Sequence, residues 1–409
     1  MSILYIGHHD QDSNVRDKKA YLKPFHNVGD ILRTAISFRD DDRSKWRKFK
    51  RIKGSKVREL QTFLFDAGFM PRSAKDGIFG YVTQASVRLF QEYMRTVEGQ
   101  NMKPDGFVGS GTWGAINSWP KGKKCEWALA REKPTEEYNM WLNLLGNAKK
   151  HYSGIDDPTL KQIKAFDGNT DTLKPTDWKF NKSDIHLIGI RIGESDKVNR
   201  RKNDDIFILL INGLVFKFWG STDPSQSMAF NAKTKKGRFD EAFLVEGQHK
   251  YRFAWHKISS DKKIYRALRP YKYGVLVFRD RDNDDALTLK DIKKGLDKNT
   301  NQTINIHWSG IGKANFSAGC QVIAGKSYIN HSGKVVDCSG FAAKSYGDLT
   351  DSRKKTKGAY NMFTDLILAY APQGVEYLYY TLGRDESLNI SGSLSESYAS
   401  NTLASMKNI

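Results

Sequence analysis

Cysteine is scarce. The chain of 409 residues holds three, Cys125, Cys320 and Cys338. The number is odd and no pair has C-x-x-C spacing, which argues against a disulfide framework and a structural zinc site. Long apolar runs are missing too. The most hydrophobic, "IFILLINGLVF" at 206–216, is too short to span a bilayer and reads as buried strand. The opening "MSILYIGHHDQDSNVRDKK" lacks the positive-then-apolar order of a secretory signal. Synthesis in the cytoplasm is therefore expected, with non-classical delivery if the substrate lies outside. Acidic residues are in deficit, 46 against 66 Lys plus Arg, a formal charge of +20. Such a field favours an anionic partner. Nucleic acid, an acidic membrane face and the carboxylates and phosphates of a bacterial cell wall all qualify, so charge alone does not choose. Nucleic-acid recognition by the basic segment 1–50 would need a fold signature that is not found.

What is present reads as globular. Hydrophobic residues make up 39% and charged residues 27%, and the length suits two or three domains. Residues 76–87, "DGIFGYVTQASV", and 105–116, "DGFVGSGTWGAI", repeat D-G-x-x-G-x-x-T-x-x-x-[VI]. Asp-Gly makes a tight turn, the second Gly allows close backbone, and the Thr is placed to N-cap the following helix. Upstream, Val57, Leu60 and Leu64 share one helical face. After Thr83, so do Val87, Phe90 and Met94. Three short helices joined by two matching loops are expected.

This stretch resembles the three-helix peptidoglycan-binding domain of wall enzymes. The resemblance implies peptidoglycan as partner and a groove near the loops and second helix. Asp76, Gly77, Gly80, Thr83, Asp105, Gly106, Gly109, Thr112 and Trp113 match the family pattern and are carried over as candidate substrate contacts. The plainer reading of each is that it builds a turn.

From about residue 183 the texture changes to short runs of Ile, Val, Phe and Tyr punctuated by Gly and Asp, a mainly β signal. "INIHWSGIGKANFSAGCQVI" (304–323) carries one histidine and one cysteine. Alternation puts Ile304 and Ile306 on one face, Asn305 and His307 on the other. Small residues before Cys320 leave backbone N–H groups open for an oxyanion, and a thiol beside a base is a candidate nucleophile. The arrangement resembles the L,D-transpeptidase (YkuD-type) catalytic domain, with its signature H-G-x…[ST]-H-G-C-x-R. The resemblance implies Cys320 as nucleophile and His307 as base, with Ser317 and Gly319 supporting base and oxyanion and no metal or other cofactor required. Trp308 and Gln321 are candidate substrate contacts. Two positions depart from the signature: Ala318 replaces its second histidine, and Val322 its arginine.

Other features compete. "VVDCSGFAAKSYG" (335–347) resembles the nucleophile stretch of NlpC-type endopeptidases, but no histidine follows His331, so Cys338 would need a permuted arrangement. Asp280, Asp282 and Asp284 are spaced like the start of a calcium loop, with Asp285 in place of Gly and Asp291 in place of Glu; a solvated acidic turn is the alternative. His249, His256 and Trp255 either line the site or pack a strand face.

The expected fold is multidomain α+β. It comprises a basic arm (1–50), the three-helix bundle (51–120), a connector (121–182) with a helix in "EEYNMWLNLLGNAKKHY" and a loop-like "DDPTLKQIKAFDGNTDTLKP", a mainly β L,D-transpeptidase-like catalytic domain (183–383) and a Ser-rich tail, mobile or docking (384–409). The expected function is acyl transfer from wall stem peptides through a thioester, to an amine or to water. The alternatives are a wall-binding component of a phage-like or contractile secretion assembly, and the Cys338 endopeptidase.

Overall fold

Each D-G-x-x-G loop is closed by a glutamine from the preceding helix. In the computed structural model, which describes residues 3–13, 50–70, 75–192, 202–225, 241–258, 263–282, 284, 286–315, 317–351, 355–372 and 374–409, α1 is Lys56–Asp66, α2 Tyr81–Thr96 and α3 Ser110–Ser118. Gln61 of α1 donates to Asp76 Oδ1, the Ile78 carbonyl and Thr83 Oγ1, and accepts from Gly77 N–H. Thirty residues on, Gln91 of α2 makes the same four contacts to Asp105, Phe107, Thr112 and Gly106. Gly77 and Gly106 have φ of 71° and 79°, a region that glycine enters without steric cost. The helices start after Gly80 and Gly109. Thr83 and Thr112 therefore lie in the first turn, held by the glutamines, and are not the N-caps that their spacing suggests.

Residues 3–13 stitch the two loops together. Leu4 pairs with Val108, Gly7 and His8 exchange bonds with Phe79, and Asp10 caps α1 through Val57 N–H and Arg58 N–H. The rest of the basic arm up to residue 49 lies outside the described residues.

The β part closes on itself. Strands β1 (His186–Arg191), β2 (Asp205–Ile211), β3 (Leu214–Ser221), β4 (Gly247–Ile258), β5 (Lys263–Pro270), β6 (Ile306–Trp308), β7 (Gln321–Ile323) and β8 (Leu378–Arg384) run in the order β7-β6-β5-β4-β8-β1-β2-β3. Pairing of β7 with β3 completes a barrel. Tyr380 of β8 donates to Gln321 of β7 although these strands are not neighbours, which identifies their shared face as the inside. By alternation, Cys320 and Val322 face out.

Helix α4 (Glu136–Gly154) lays Tyr138, Trp141 and Leu145 over Ile188, Ile190, Ile206 and Ile208 on the outer face of β1 and β2. One expectation fails here, and one of the two alternatives for the tail is excluded. The connector stretch read as loop contains a helix, Pro158–Ala165, capped by Asp157. The Ser-rich tail is ordered: α6 (Tyr398–Lys407) buries Ala399 and Met406 in that same outer layer. Seven residues separate those two anchors, and seven is close to two helical turns.

Helix α5 (Ala359–Tyr370), buried along its whole length, lies between α2 and the barrel. Asp365 receives Arg88 of α2 at 2.6 Å and Arg266 of β5 at 2.8 Å. Phe363 meets Phe218 edge-on, and Tyr81 of α2 meets Trp255 of β4. The architecture is mixed α+β, with the helical unit joined to the barrel through a filled interface. Among the described residues no helix is long and apolar enough to cross a membrane.

Candidate functional site

Strand register assembles the site. Ile306 pairs with Gln321 on one side and Leu268 on the other. One step back, Asn305 therefore lies between Cys320 and Arg269, and Arg252 pairs with Arg269 from β4. One step forward, His307 pairs with Val322. A diagonal step from Cys320 reaches His307, a separation of about 7–8 Å between such neighbours.

Cys320 is half-buried. Its thiol donates to the Thr303 carbonyl at 3.1 Å and accepts Asn305 N–H at 3.3 Å. Burial pushes its pKa above the ordinary 9.0, against the pull of Asn305 N–H, Ser317 and the Arg269 charge. The resting surroundings of this thiol therefore disfavour the thiolate. Gly319 precedes it at φ 154°, where a Cβ would come within 3.1 Å of Ile304 Cδ1. Ser317 is buried, its N–H bonded to Asn315 Oδ1 and its carbonyl to Ser225 N–H.

His307 Nδ1 lies 3.0 Å from the Trp308 carbonyl, which only accepts, so Nδ1 carries the proton and Nε2 keeps a free lone pair. Tyr265 Oη is 3.2 Å from the same nitrogen. Burial lowers the His307 pKa to about 4. His256 stacks on His307 with ring centroids 4.3 Å apart and takes the Asn305 amide at 3.1 Å. Burial, then the neighbouring His307 and Arg269, lower its pKa to about 2. Both imidazoles are neutral near pH 7.

Burial raises the thiol pKa and lowers the imidazole pKa, so both shifts favour a neutral resting pair over a thiolate–imidazolium. Proton transfer concerted with attack on a bound carbonyl suits such a pair.

Not every expected residue lies on this face. Trp308 points the other way into the core, under Lys357 and against Tyr265. Gln321 is fully buried inside the barrel on Tyr380. Neither is placed to meet a substrate at Cys320, because alternation sends both to the opposite face. His249 is a packed core group held by Thr172 and the Val245 carbonyl, and Trp255 packs on Tyr81. His256 and Arg269 are the residues that sequence reasoning undervalued or missed. Their signal was the alternation across "YRFAWH" and "YRALR", which puts Arg252, His256, Tyr265 and Arg269 on one face.

The nine residues of the helical unit divide differently. Thr83, Thr112 and Trp113 are buried, and Asp76 is exposed. Helix α2, where the resemblance implies a groove, is buried over Tyr81–Met94. Exposed parts of the unit include the outer face of α3, with Ser110, Gly111, Gly114 and Asn117, Asp76, and Lys56, Glu59 and Asp66 of α1.

Cys338 has no histidine contact among the described residues. Its Sγ is 3.9 Å from Arg95, and burial together with Glu92 drives its pKa well up. His331 is engaged elsewhere, by Trp127 and Glu126. Cys125 is buried against Gly68 and Tyr370. Carboxylates of Asp280, Asp282, Asp284 and Asp291 converge within 4.8 Å, with Asp280, Asp284 and Asp291 accepting backbone N–H groups of their own loop. A cavity of about 760 Å³ opens elsewhere, lined in part by Trp178, Arg191, Glu246, Phe278, Leu287 and Arg384, and contains none of the expected site residues.

Residues 53–116 match the family described as a putative peptidoglycan binding domain. The helical unit is therefore a peptidoglycan-binding domain, and peptidoglycan is the partner it indicates. No curated protein matches the chain. A crystal structure of a fused Zn-dependent amidase/peptidase/peptidoglycan-binding domain-containing protein from Clostridium acetobutylicum ATCC 824 is similar at 13% identity. The match covers 81% of this chain and 96% of that one, with a TM-score of 0.22.

Proposed function

We propose that the barrel is a cysteine acyltransferase of L,D-transpeptidase type acting on peptidoglycan stem peptides, with Cys320 as nucleophile and His307 as base. The observation that carries this reading is the outward face of β6 and β7, where a thiol and an imidazole with a free Nε2 are diagonal neighbours on a chain that also holds a peptidoglycan-binding domain. As a stem-peptide carbonyl settles over Cys320, Sγ attacks its carbon and the thiol proton passes to His307 Nε2. The oxyanion is met by Cys320 N–H, for which no partner appears among the described residues. Collapse breaks the C–N bond, and the departing amine takes the proton from His307. The thioester is then opened by an amine or by water. With Val322 and Ala318 in place of the signature arginine and histidine, the acceptor is less positioned, so hydrolysis and exchange outweigh cross-linking.

Purified wall fragments incubated with the protein and read by mass spectrometry test the proposal. Tetrapeptide stems should lose or exchange their terminal residue, with new L,D cross-links in the minority, and Cys320→Ala should abolish every change while keeping wall binding. Unchanged fragments under reducing conditions would leave the chain a wall binder only.

A further inference from the structure

Arg269 has no assigned role, and its surroundings are unusual for an arginine. It is half-buried, its Nε is buried without a hydrogen-bond partner, and no ion pair reaches it among the described residues. The outward positions of β4 to β7 around it are Arg252, Ala254, His256, Tyr265, Ala267, Asn305, His307, Cys320 and Val322. None is acidic. Half-buried guanidinium normally finds a carboxylate, because burying an uncompensated charge is costly. Here no carboxylate pairs with it among the described residues.

Between Arg269 and Cys320 stands Asn305, 7% exposed, whose Oδ1 is buried with no partner while its amide nitrogen is spent on His256. Among the described residues, a cation short of an anion and an acceptor short of a donor thus share one row with the thiol. Adjacent strands are about 4.8 Å apart, so Arg269 starts two strands, or roughly 10 Å, from Cys320. Its long side chain covers much of that distance.

We propose that Arg269 anchors a carboxylate of the acyl donor beside the carbonyl presented to Cys320, with Asn305 Oδ1 taking a donor N–H. The inference rests on the acyltransferase reading for its substrate but not for its first test. It places the site's guanidinium two strands away from the position after the cysteine, where Val322 stands. Arg269 is in this sense a positioning and specificity residue. Its charge also favours the Cys320 thiolate and opposes protonation of His256, as closeness to both requires.

Two alkylating reagents separate the electrostatics from the chemistry. Iodoacetate and iodoacetamide attack the same thiolate, so their rate ratio cancels thiolate population and reports the cation beside the sulfur. On the full chain at low salt, the iodoacetate-to-iodoacetamide ratio at Cys320, read on its peptide, should exceed that of free glutathione by about three- to fivefold, the worth of a part-exposed ion pair. Arg269→Gln should return it to the glutathione value, and Arg269→Lys should restore most of it. A glutathione-like ratio in the unaltered chain, or one indifferent to Arg269→Gln, overturns the anchor even if the protein turns over wall peptides. The second arm compares stem peptides with free and amidated carboxylates. Amidation should lower kcat/KM about ten- to a hundredfold in the unaltered chain and make little difference in Arg269→Gln. Equal use of both donors by the unaltered chain also overturns it. A raised, Arg269-dependent ratio with no turnover of either donor upholds the cationic site and sinks the acyltransferase reading instead.

Discussion

At the scale of single residues, Cys320 and His307 are poised as a neutral pair, which has consequences for reactivity. Burial raises the thiol pKa above 9.0, so the thiolate fraction near neutrality is below that of a free cysteine. Iodoacetamide should label Cys320 more slowly than glutathione at about pH 7.5, with a rate rising about tenfold per unit towards pH 9. Cys338 and Cys125 should lag further, since both are buried and Cys125 is pushed up to about 11. His307→Ala should leave this resting rate within about twofold, because an imidazole of pKa about 4 carries no charge to hold a thiolate. The same change should cut turnover by about 10²–10⁴. A labelling rate flat with pH would mean a preformed thiolate and would contradict the geometry. The proposed nucleophile and base could be picked out in the sequence because a cysteine among small residues and a histidine on an alternating strand are local patterns. Asn305, His256 and Arg269 were not, since their meeting depends on the register of strands up to fifty residues apart.

At the scale of elements, the peptidoglycan-binding unit is a pair of repeats, each fastened by one glutamine. Gln91 is 1% exposed and satisfies Gly106 N–H, the Phe107 carbonyl, Asp105 and Thr112 at once. Gln91→Met keeps much of the shape and removes every hydrogen bond. With at least Gly106 N–H left buried and unmet, the cost should be about 2–3 kcal/mol, measured as a lower urea midpoint at unchanged slope. A loss below about 0.5 kcal/mol would show that water replaces the amide. The repeat itself was readable because Asp-Gly and the second glycine encode backbone shape. The glutamines belonged to the same repeat, in "LQTF" and "FQEY", but a polar residue on a helix passes for a solvated one until the loop folds back onto it. The mobile alternative for the tail fails for a related reason. Its serines suggested exposure, while two apolar anchors, Ala399 and Met406, dock it.

At the scale of the whole molecule, the binding unit and barrel share one interface rather than a tether. Barrel closure and the burial of α2 were invisible locally, because each requires partners far apart in sequence: Arg88 with Asp365, β3 with β7. The joint has a specific weak point. Arg88, Arg266 and Asp365 are 3%, 1% and 1% exposed, so two guanidiniums share one carboxylate away from water. Asp365→Asn keeps the volume and removes the negative charge. Breaking a buried pair in this way costs about 3–5 kcal/mol, since the remaining charges stay desolvated. The loss falls on the interface, where α5 joins α2 to β5, more than on either core. Calorimetry of the unaltered chain should show the unit at 53–116 melting together with the barrel. In Asp365→Asn the transition should move down and split, with co-sedimentation on purified wall retained through the lower step or lost with it according to which body melts first. The local Cys320 labelling ratio should be unchanged at temperatures below both steps. A single transition at the original temperature would mean that the triad contributes no net coupling, and that the two bodies are held by apolar contacts such as Phe363 on Phe218 and Tyr81 on Trp255.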